Sequence, residues 1–396
     1  MNEHTSTQSS TVKRRKFLQS SGAGLLLLKP ETVFGYQANS AVEIGIVGCG
    51  GRGNYVGNFF VEYTGSRVVS LADPVTQPLE ETARRWNVDS ARRYSGLDGY
   101  RKLAESKLDA VLVTSPPYFH PEQALAAAQA GRHVYLAKPV AVDTAGCLDI
   151  IHAGKMLEGK RSFWVDFQTR AQPVFQDLME RVHRGDIGKI PVGQTCYQTS
   201  IPGIKSGRGL DPLHRRLREW LGDKVLSGDI IVEQHVHAID VGNWYFQTHP
   251  LKARATCGRK VRTVGDCNDF FIVTFVYPND VQTNHSSVQF TKGYDDICAR
   301  AFGGIGTADA HYGGLVRITG EKAWHGTDKD DTFRSGAIAN AKKFVENVKA
   351  GTPINNTQVA AESTLTAILA RTSAYRGQEI TWEELLRERE RYQFKV

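Results

Sequence analysis

The sequence predicts an α/β protein: a doubly wound parallel sheet first, then a second α/β domain on a large, mostly antiparallel sheet. Three observations carry this. An apolar β-branched run (Ile44, Ile46, Val47) drives into Gly48-x-Gly50-x-x-Gly53 and a helical pattern, the strand–turn–helix grammar of a βαβ unit. Strands alternate with helices over the next 120 or so residues, up to Phe167. Beyond residue 190 the strand patterns follow one another with turn residues between them.

In the glycine turn, the first glycine permits the tight bend and the second lets backbone approach a pyrophosphate. The third lets helix pack on strand, leaving the helix N-terminus aimed at an anion. Gly48, Cys49, Gly50, Gly51, Arg52 and Gly53 are therefore candidate dinucleotide contacts. The next strand, 67–73, closes on Asp73, where a carboxylate accepts the ribose hydroxyls of NAD and repels a 2′-phosphate. Arg84 and Arg85 lie a helix further on and leave NADP open.

At 396 residues the chain exceeds one ordinary core. Its net charge is +7, falling to +4 once residues 1–40 (five basic groups, two acidic) are set aside. No Lys/Arg block with interleaved aromatics appears, so nucleic acid is a poor partner. No apolar run is long enough to span a bilayer. Residues 1–40 read as an export signal and linker: Arg14-Arg15-x-Phe17-Leu18, then a short apolar core ending before Lys29-Pro30. That start resembles the twin-arginine signal, which implies export of an already folded chain and a periplasmic or similar location. The six cysteines (49, 147, 196, 257, 267, 298) show no CxxC or metal-type spacing, so neither a disulfide framework nor a metal is expected.

In order, the pattern predicts helices over 54–62, 79–87 and 97–104, and a buried strand over 109–115 ending in Ser115-Pro116-Pro117-Tyr118-Phe119-His120. An alanine-rich helix, 121–130, stops at Gly131. A strand over 133–136 leads to Ala137-Lys138-Pro139, a helix over 143–157 and a strand over 162–167. Ligands in such sheets sit at the strand carboxyl ends, where the glycine turn, Asp73, Ser115 and Lys138 all fall.

Ser115-Pro-Pro-x-x-His120 followed by Ala130-Gly-Arg-His-Val-Tyr-Leu-Ala-Lys138-Pro139 resembles the Gfo/Idh/MocA oxidoreductase family. The resemblance implies a Rossmann domain, a C-terminal domain with an open-faced sheet, and a nicotinamide cofactor contacted by Ser115, Pro116, His120 and Lys138. In the family this lysine touches the nicotinamide ribose and the reacting hydroxyl. One departure is that the family's glutamate before it is Ala137 here.

A helix over 173–184 begins the second domain, and strands follow over 191–200, 253–257, 270–277, 281–290 and 315–319. Pro278-Asn279-Asp280 makes a hairpin turn, and 203–218, with four arginines, reads as a long loop over the site. The segment Ser227 to Trp244 carries Glu233, His235, His237 and Asp240. If it is helical, Glu233 adjoins His237 at i,i+4, Asp240 lies one turn on, and His235 points away. A histidine held by a carboxylate is a competent general base. The family resemblance puts His237 in the catalytic position, with Glu233 replacing an aspartate and His235 a usually small residue. Gln168, Arg170, Tyr197, His235 and Asp240 are candidate substrate contacts, with His285, Asp309 and His311 weaker.

The expected domains are 1–40, a Rossmann domain over 41–165, a substrate and oligomerisation domain over 166–335, and C-terminal helices over 336–396 packing back on the first domain. The expected activity is oxidation of a hydroxyl on a sugar, polyol or glycoside. His237 would act as base, Lys138 on the oxygen, and Glu233 on His237 or a neighbouring hydroxyl. The cofactor is expected to be tightly held NAD, with NADP open, because the periplasm holds no pool to exchange with. A homo-oligomer and transient-oxidation glycoside cleavage, both known among relatives, complete the expectations.

Overall fold

The structure, a computed structural model, describes residues 41–326 and 332–395 together with Met1. The twin-arginine segment lies outside the described residues. Strands β1 (Glu43–Val47), β2 (Arg67–Asp73), β3 (Arg93–Ser95), β4 (Ala110–Val113), β5 (His133–Leu136) and β6 (Phe163–Val165) form one parallel sheet. Its order is β3-β2-β1-β4-β5-β6. The order reverses between β1 and β4, and the ligand crevice of such a sheet opens there. Ile44, Ile46, Ala110 and Leu112 are fully buried, as the unbroken apolar runs require of strands covered on both faces.

The second sheet holds β7 (Val192–Gln198), β8 (Lys252–Gly258), β9 (Phe270–Val276), β10 (Gln282–Val288), β11 (Asp296–Phe302), β12 (Gly306–His311), β13 (Val316–Gly320), β14 (Trp324–His325) and β15 (Ile380–Thr381). The order is β14-β13-β12-β11-β7-β10-β9-β8-β15, and only β7 and β10 pair in parallel. Helices Pro173–His183, Val236–Phe246 and Thr357–Arg376 cover its inner face. On the outer face the alternation brings Ile272, Thr274, Asn284 and Phe302 to the surface.

Five strands went unread in the sequence, the short β3, β14 and β15 and the longer β11 and β12. In β11 the inward residues are Ala299 and Ala301, and in β12 Ala308 and Ala310, all buried yet too small to give a strong apolar alternation. The stretch 212–218 is a helix rather than loop, started by Pro212 with the Asp211 carboxylate accepting from the His214 amide. Pro278–Asp280 closes the β9–β10 hairpin with Asn279 and Asp280 at φ 61° and 57°. Of the C-terminal helices, Thr332–Ala350 packs on Gly51–Thr64, with the Phe60 and Phe344 rings 5.9 Å apart. Thr357–Arg376 lies against β8 and helix Thr144–Leu157 at once.

Burial holds several histidines neutral: His120 and His133 are pushed down to about 4, His285 to about 3, and His235 and His237 well below the usual value. The unfolded chain takes up these protons near pH 6.5, and the folded chain does not. The stability they leave intact is complete above that pH and is lost as pH falls from about 6.5 towards the folded values. His120 and His285, both buried, should each cost roughly 2 kcal/mol by about pH 5. Urea midpoints at about pH 7.5 and 5 check this; an unchanged midpoint would show that these rings are charged in the folded protein.

Candidate active site

The glycine turn is built to leave room for a ligand. Gly48 has φ +93°, and a Cβ there would lie 2.6 Å from the Ser115 nitrogen; one on Gly53 would lie 2.0 Å from the Gly48 carbonyl. At Gly50 and Gly51 a Cβ would meet nothing within 4 Å. Helix Gly51–Thr64 has no side-chain cap and no acidic residue in its first turn, so its N-terminus faces the crevice with its amides available to an anion. Asp73 is 8% exposed and lines the crevice, its carboxylate accepting from the amides of Cys49 (2.7 Å) and Val75 (2.8 Å). Each oxygen keeps a lone pair for a further donor.

The crevice encloses about 780 Å³, walled by the glycine turn, Asp73, Ser115 and Pro116, and by residues Gly203–Ser206, Arg208, Leu217 and Trp220 from the second domain. Arg85, Lys205, Arg208 and Arg218 add positive charge, which suits a pyrophosphate. The segment 203–221 therefore roofs the crevice. The chain's end fastens that roof: Arg216 stacks on Phe394 at 4.6 Å and donates to the Lys395 carbonyl, while the Phe394 amide donates to the Tyr118 hydroxyl at 3.1 Å. Residue types and shape fit a dinucleotide.

Beyond Arg52 lies a second group of residues. Lys138 follows β5, before a cis bond to Pro139, and its ammonium donates to the Glu233 carbonyl and to its carboxylate at 3.0 Å. Glu233 stands on a π turn, Ile231–His235, which runs into helix Val236–Phe246. The turn is launched by Gly228 and Asp229, both at positive φ (81° and 68°). Asp229 is fixed there by the Asn268 amide (2.9 Å) and the Tyr375 hydroxyl (2.6 Å), and buried Arg371 donates to the Gly228 carbonyl (3.0 Å). The wider i→i+5 turn displaces the helical register. The expected Glu233–His237 pair is thus replaced by Glu233–Lys138.

His237 is 6% exposed and its Nδ1 has no hydrogen-bond partner among the described residues. Burial first, then the charges of Lys138 and Arg52, keep it neutral. Its ring lies 5.2 Å from that of Tyr312. Arg52 reaches across from the glycine turn to Asp166, and the crevice lining includes Arg52 but neither Lys138 nor His237.

The expectations for five other residues, His120, Arg170, Asp240, His235 and Tyr197, need correction. His120 sits behind the turn rather than in the crevice, its Nδ1 2.8 Å from the Pro139 carbonyl and its Nε2 2.8 Å from that of Ser115. Arg170 and Asp240 pair with each other, Nε lying 2.9 Å from both oxygens, and Ser363 completes the buried carboxylate at 2.6 Å. This internal ion pair replaces the substrate contacts expected of both. His235 does point away from His237, into the sheet between Tyr197 (4.8 Å) and His285 (5.5 Å), with neither nitrogen partnered among the described residues. Tyr197 is buried against it. Gln168 remains near, accepting from the Tyr312 hydroxyl at 2.7 Å and donating to the Phe333 carbonyl at 3.0 Å.

Asp166 was missed. Fully buried at the end of β6, it accepts the Lys138 amide at 3.2 Å, the Arg52 guanidinium and the Tyr135 hydroxyl at 3.4 Å. An acidic residue directly after a buried strand, as at Asp73, was the available signal.

The family profile described as "Oxidoreductase family, NAD-binding Rossmann fold" matches residues 42–166, and that of the "GFO/IDH/MocA C-terminal domain" matches 175–309. An inositol 2-dehydrogenase of Acidothermus cellulolyticus is 29% identical over 287 residues, 71% of this chain and 77% of the relative. One from Burkholderia vietnamiensis is 25% identical over 78% of this chain and 87% of its own. Among solved structures, a levoglucosan dehydrogenase in complex with NADH and levoglucosan superposes with TM-score 0.71 at 16% identity, covering 86% of this chain and 99% of its own. The aldose-aldose oxidoreductase from Caulobacter crescentus complexed with glycerol gives 0.71 at 18%, covering 86% and 100%. At these identities the structures share the fold, with its parallel and mostly antiparallel sheets. The chain belongs to the Gfo/Idh/MocA oxidoreductases, and its first domain is an NAD-binding Rossmann domain.

Proposed function

We propose that the chain oxidises a secondary hydroxyl of a sugar, polyol or glycoside at the group formed by Lys138, Glu233 and His237. The observation that carries this is the convergence of a paired ammonium and a neutral imidazole whose Nδ1 has no partner among the described residues, just past the dinucleotide crevice. Bound NAD supplies the hydride acceptor. The chain's own residues do the rest. Lys138 holds the substrate oxygen as it gains negative charge, His237 takes the hydroxyl proton, and Glu233 fixes the lysine's direction. Asp166 is a positioning residue, holding the Lys138 backbone and Arg52 together. The named activities of the inositol 2-dehydrogenases and of the levoglucosan dehydrogenase support a cyclic polyol or sugar.

The Arg14-Arg15-x-Phe17-Leu18 start supports export of the folded chain by the twin-arginine route. NAD is then loaded beforehand and stays bound, under a roof fastened by the C-terminal residues, so a second substrate must reoxidise it. The apolar Ile272 and Phe302, exposed on the outer face of the second sheet, support pairing of copies over that face.

His237→Asn should lower kcat roughly 10²–10⁴-fold with NAD content unchanged, measured with myo-inositol and a panel of sugars. The acid limb of wild-type kcat/KM should fall below the ordinary histidine range near 6.5, since burial and two cations depress His237. A limb at or above that value sinks the assignment of the base.

Purified protein denatured in acid should release NAD, and Phe394→Ala should release it faster under native conditions while leaving the circular dichroism unchanged. Equal loss rates from the two proteins would remove the roof from the account of retention.

A further inference from the structure

The outer face of the second sheet carries a group of side chains outside the proposed reaction. Cys298 on β11 stands directly opposite Cys196 on β7 and directly opposite His311 on β12. The three make a row across adjacent strands on one face, where directly opposed Cβ atoms lie about 4.5–5.5 Å apart. Asp296, two residues before Cys298, projects from the same face. The donor atoms of Asp296, Cys298 and His311 all lie within 4.8 Å of one another. Asp296 is 2.8 Å from His311 Nδ1 through one oxygen and 3.6 Å from the Cys298 sulfur through the other. Both cysteines are free and buried.

We propose that Asp296, Cys298 and His311, joined by Cys196 from the adjacent strand β7 as fourth ligand, form a tetrahedral site for a borderline-soft divalent cation of the zinc class. Two sulfurs, one nitrogen and one oxygen are the donor types such an ion takes, and two thiolates discriminate against magnesium and calcium. The outer hydrogen bond is in place too. His311 Nε2 lies 3.1 Å from Asp309, the carboxylate–histidine arrangement that fixes the ring of a metal-bound histidine. Arg300 (2.8 Å) and Arg317 (3.4 Å) hold Asp309 in turn.

The charge count says how the ion is held. Asp296 and Asp309 already balance Arg300 and Arg317, so a bare dication would be in excess. An ion that displaces both thiol protons adds no net charge, since two thiolates cancel it. Arg300 Nη2 stands on the Nε2 side of the His311 ring, at 3.2 Å, which leaves the Nδ1 side, facing Asp296 and Cys298, to the cation. The sequence hid the site because its donors come from three strands rather than from one CxxC loop.

Cobalt(II) titration of the full-length, reduced, chelator-treated protein tests it. The expected result is a thiolate-to-cobalt charge-transfer band with the visible bands of tetrahedral cobalt. It should saturate at one ion per chain with about two protons released, and zinc should displace it. Cys298→Ser should abolish the sulfur band and His311→Gln should weaken binding at least tenfold, while both variants keep the wild-type circular dichroism and NAD content. Zinc should raise the melting temperature of wild type and leave that of Cys298→Ser unchanged. Absence of a sulfur band in folded wild type, equal cobalt affinity in Cys298→Ser, or recovery of Cys196 and Cys298 only as a disulfide would overturn the proposal.

Discussion

The Lys138–Glu233 ion pair is the constraint on which the candidate site depends. One partner ends a strand of the parallel sheet and the other rides the π turn of the second domain, with side chains 12% and 13% exposed. Breaking so enclosed a pair by removing one member leaves an uncompensated charge, at a cost of about 3–5 kcal/mol. Each end is therefore held from behind. Asp166 takes the Lys138 amide, and Asp229 and Arg371 fix the backbone from which Glu233 springs. Neither sheet can shift against the other without disturbing one of these buried groups.

The π turn follows from the same constraint. A regular helix would bring Glu233 beside His237, as the i,i+4 spacing suggests. The pairing with Lys138 and the left-handed start at Gly228-Asp229 favour a wider turn, which separates the carboxylate from the imidazole. His237 is then neutral because of burial and neighbouring cations, without a carboxylate holding its ring.

What the sequence made legible was whatever acts locally. The glycine turn announces itself because Gly48 and Gly53 are needed for steric reasons within a few residues, and strands β1, β4 and β5 because both faces are apolar. The family resemblance supplied the significance of Lys138 and His237. Partnerships across long stretches of chain stayed hidden: Asp166 with Arg52, Arg170 with Asp240, Arg216 with the C-terminal residues. Each joins residues more than 65 positions apart, and nothing in the local pattern of either partner names the other. The alanine-lined β11 and β12 were obscure for a different reason, since small inward residues pack well against a helix but leave a faint alternation.

A buried imidazole beside two cations is a base that cannot keep its proton. On the proposed reading, the Lys138 ammonium touches the substrate oxygen directly and His237 only at longer range, so it lowers the alcohol's pKa more than the imidazole's. Proton transfer is thereby favoured while the oxygen is in place. The resulting imidazolium stays unstable beside Lys138 and Arg52, and gives the proton back readily when a carbonyl compound is reduced. A base that releases its proton so readily serves oxidation and reduction alike. A cofactor that stays bound, as proposed, needs such a base, because each oxidation is then answered by a reduction at the same residues.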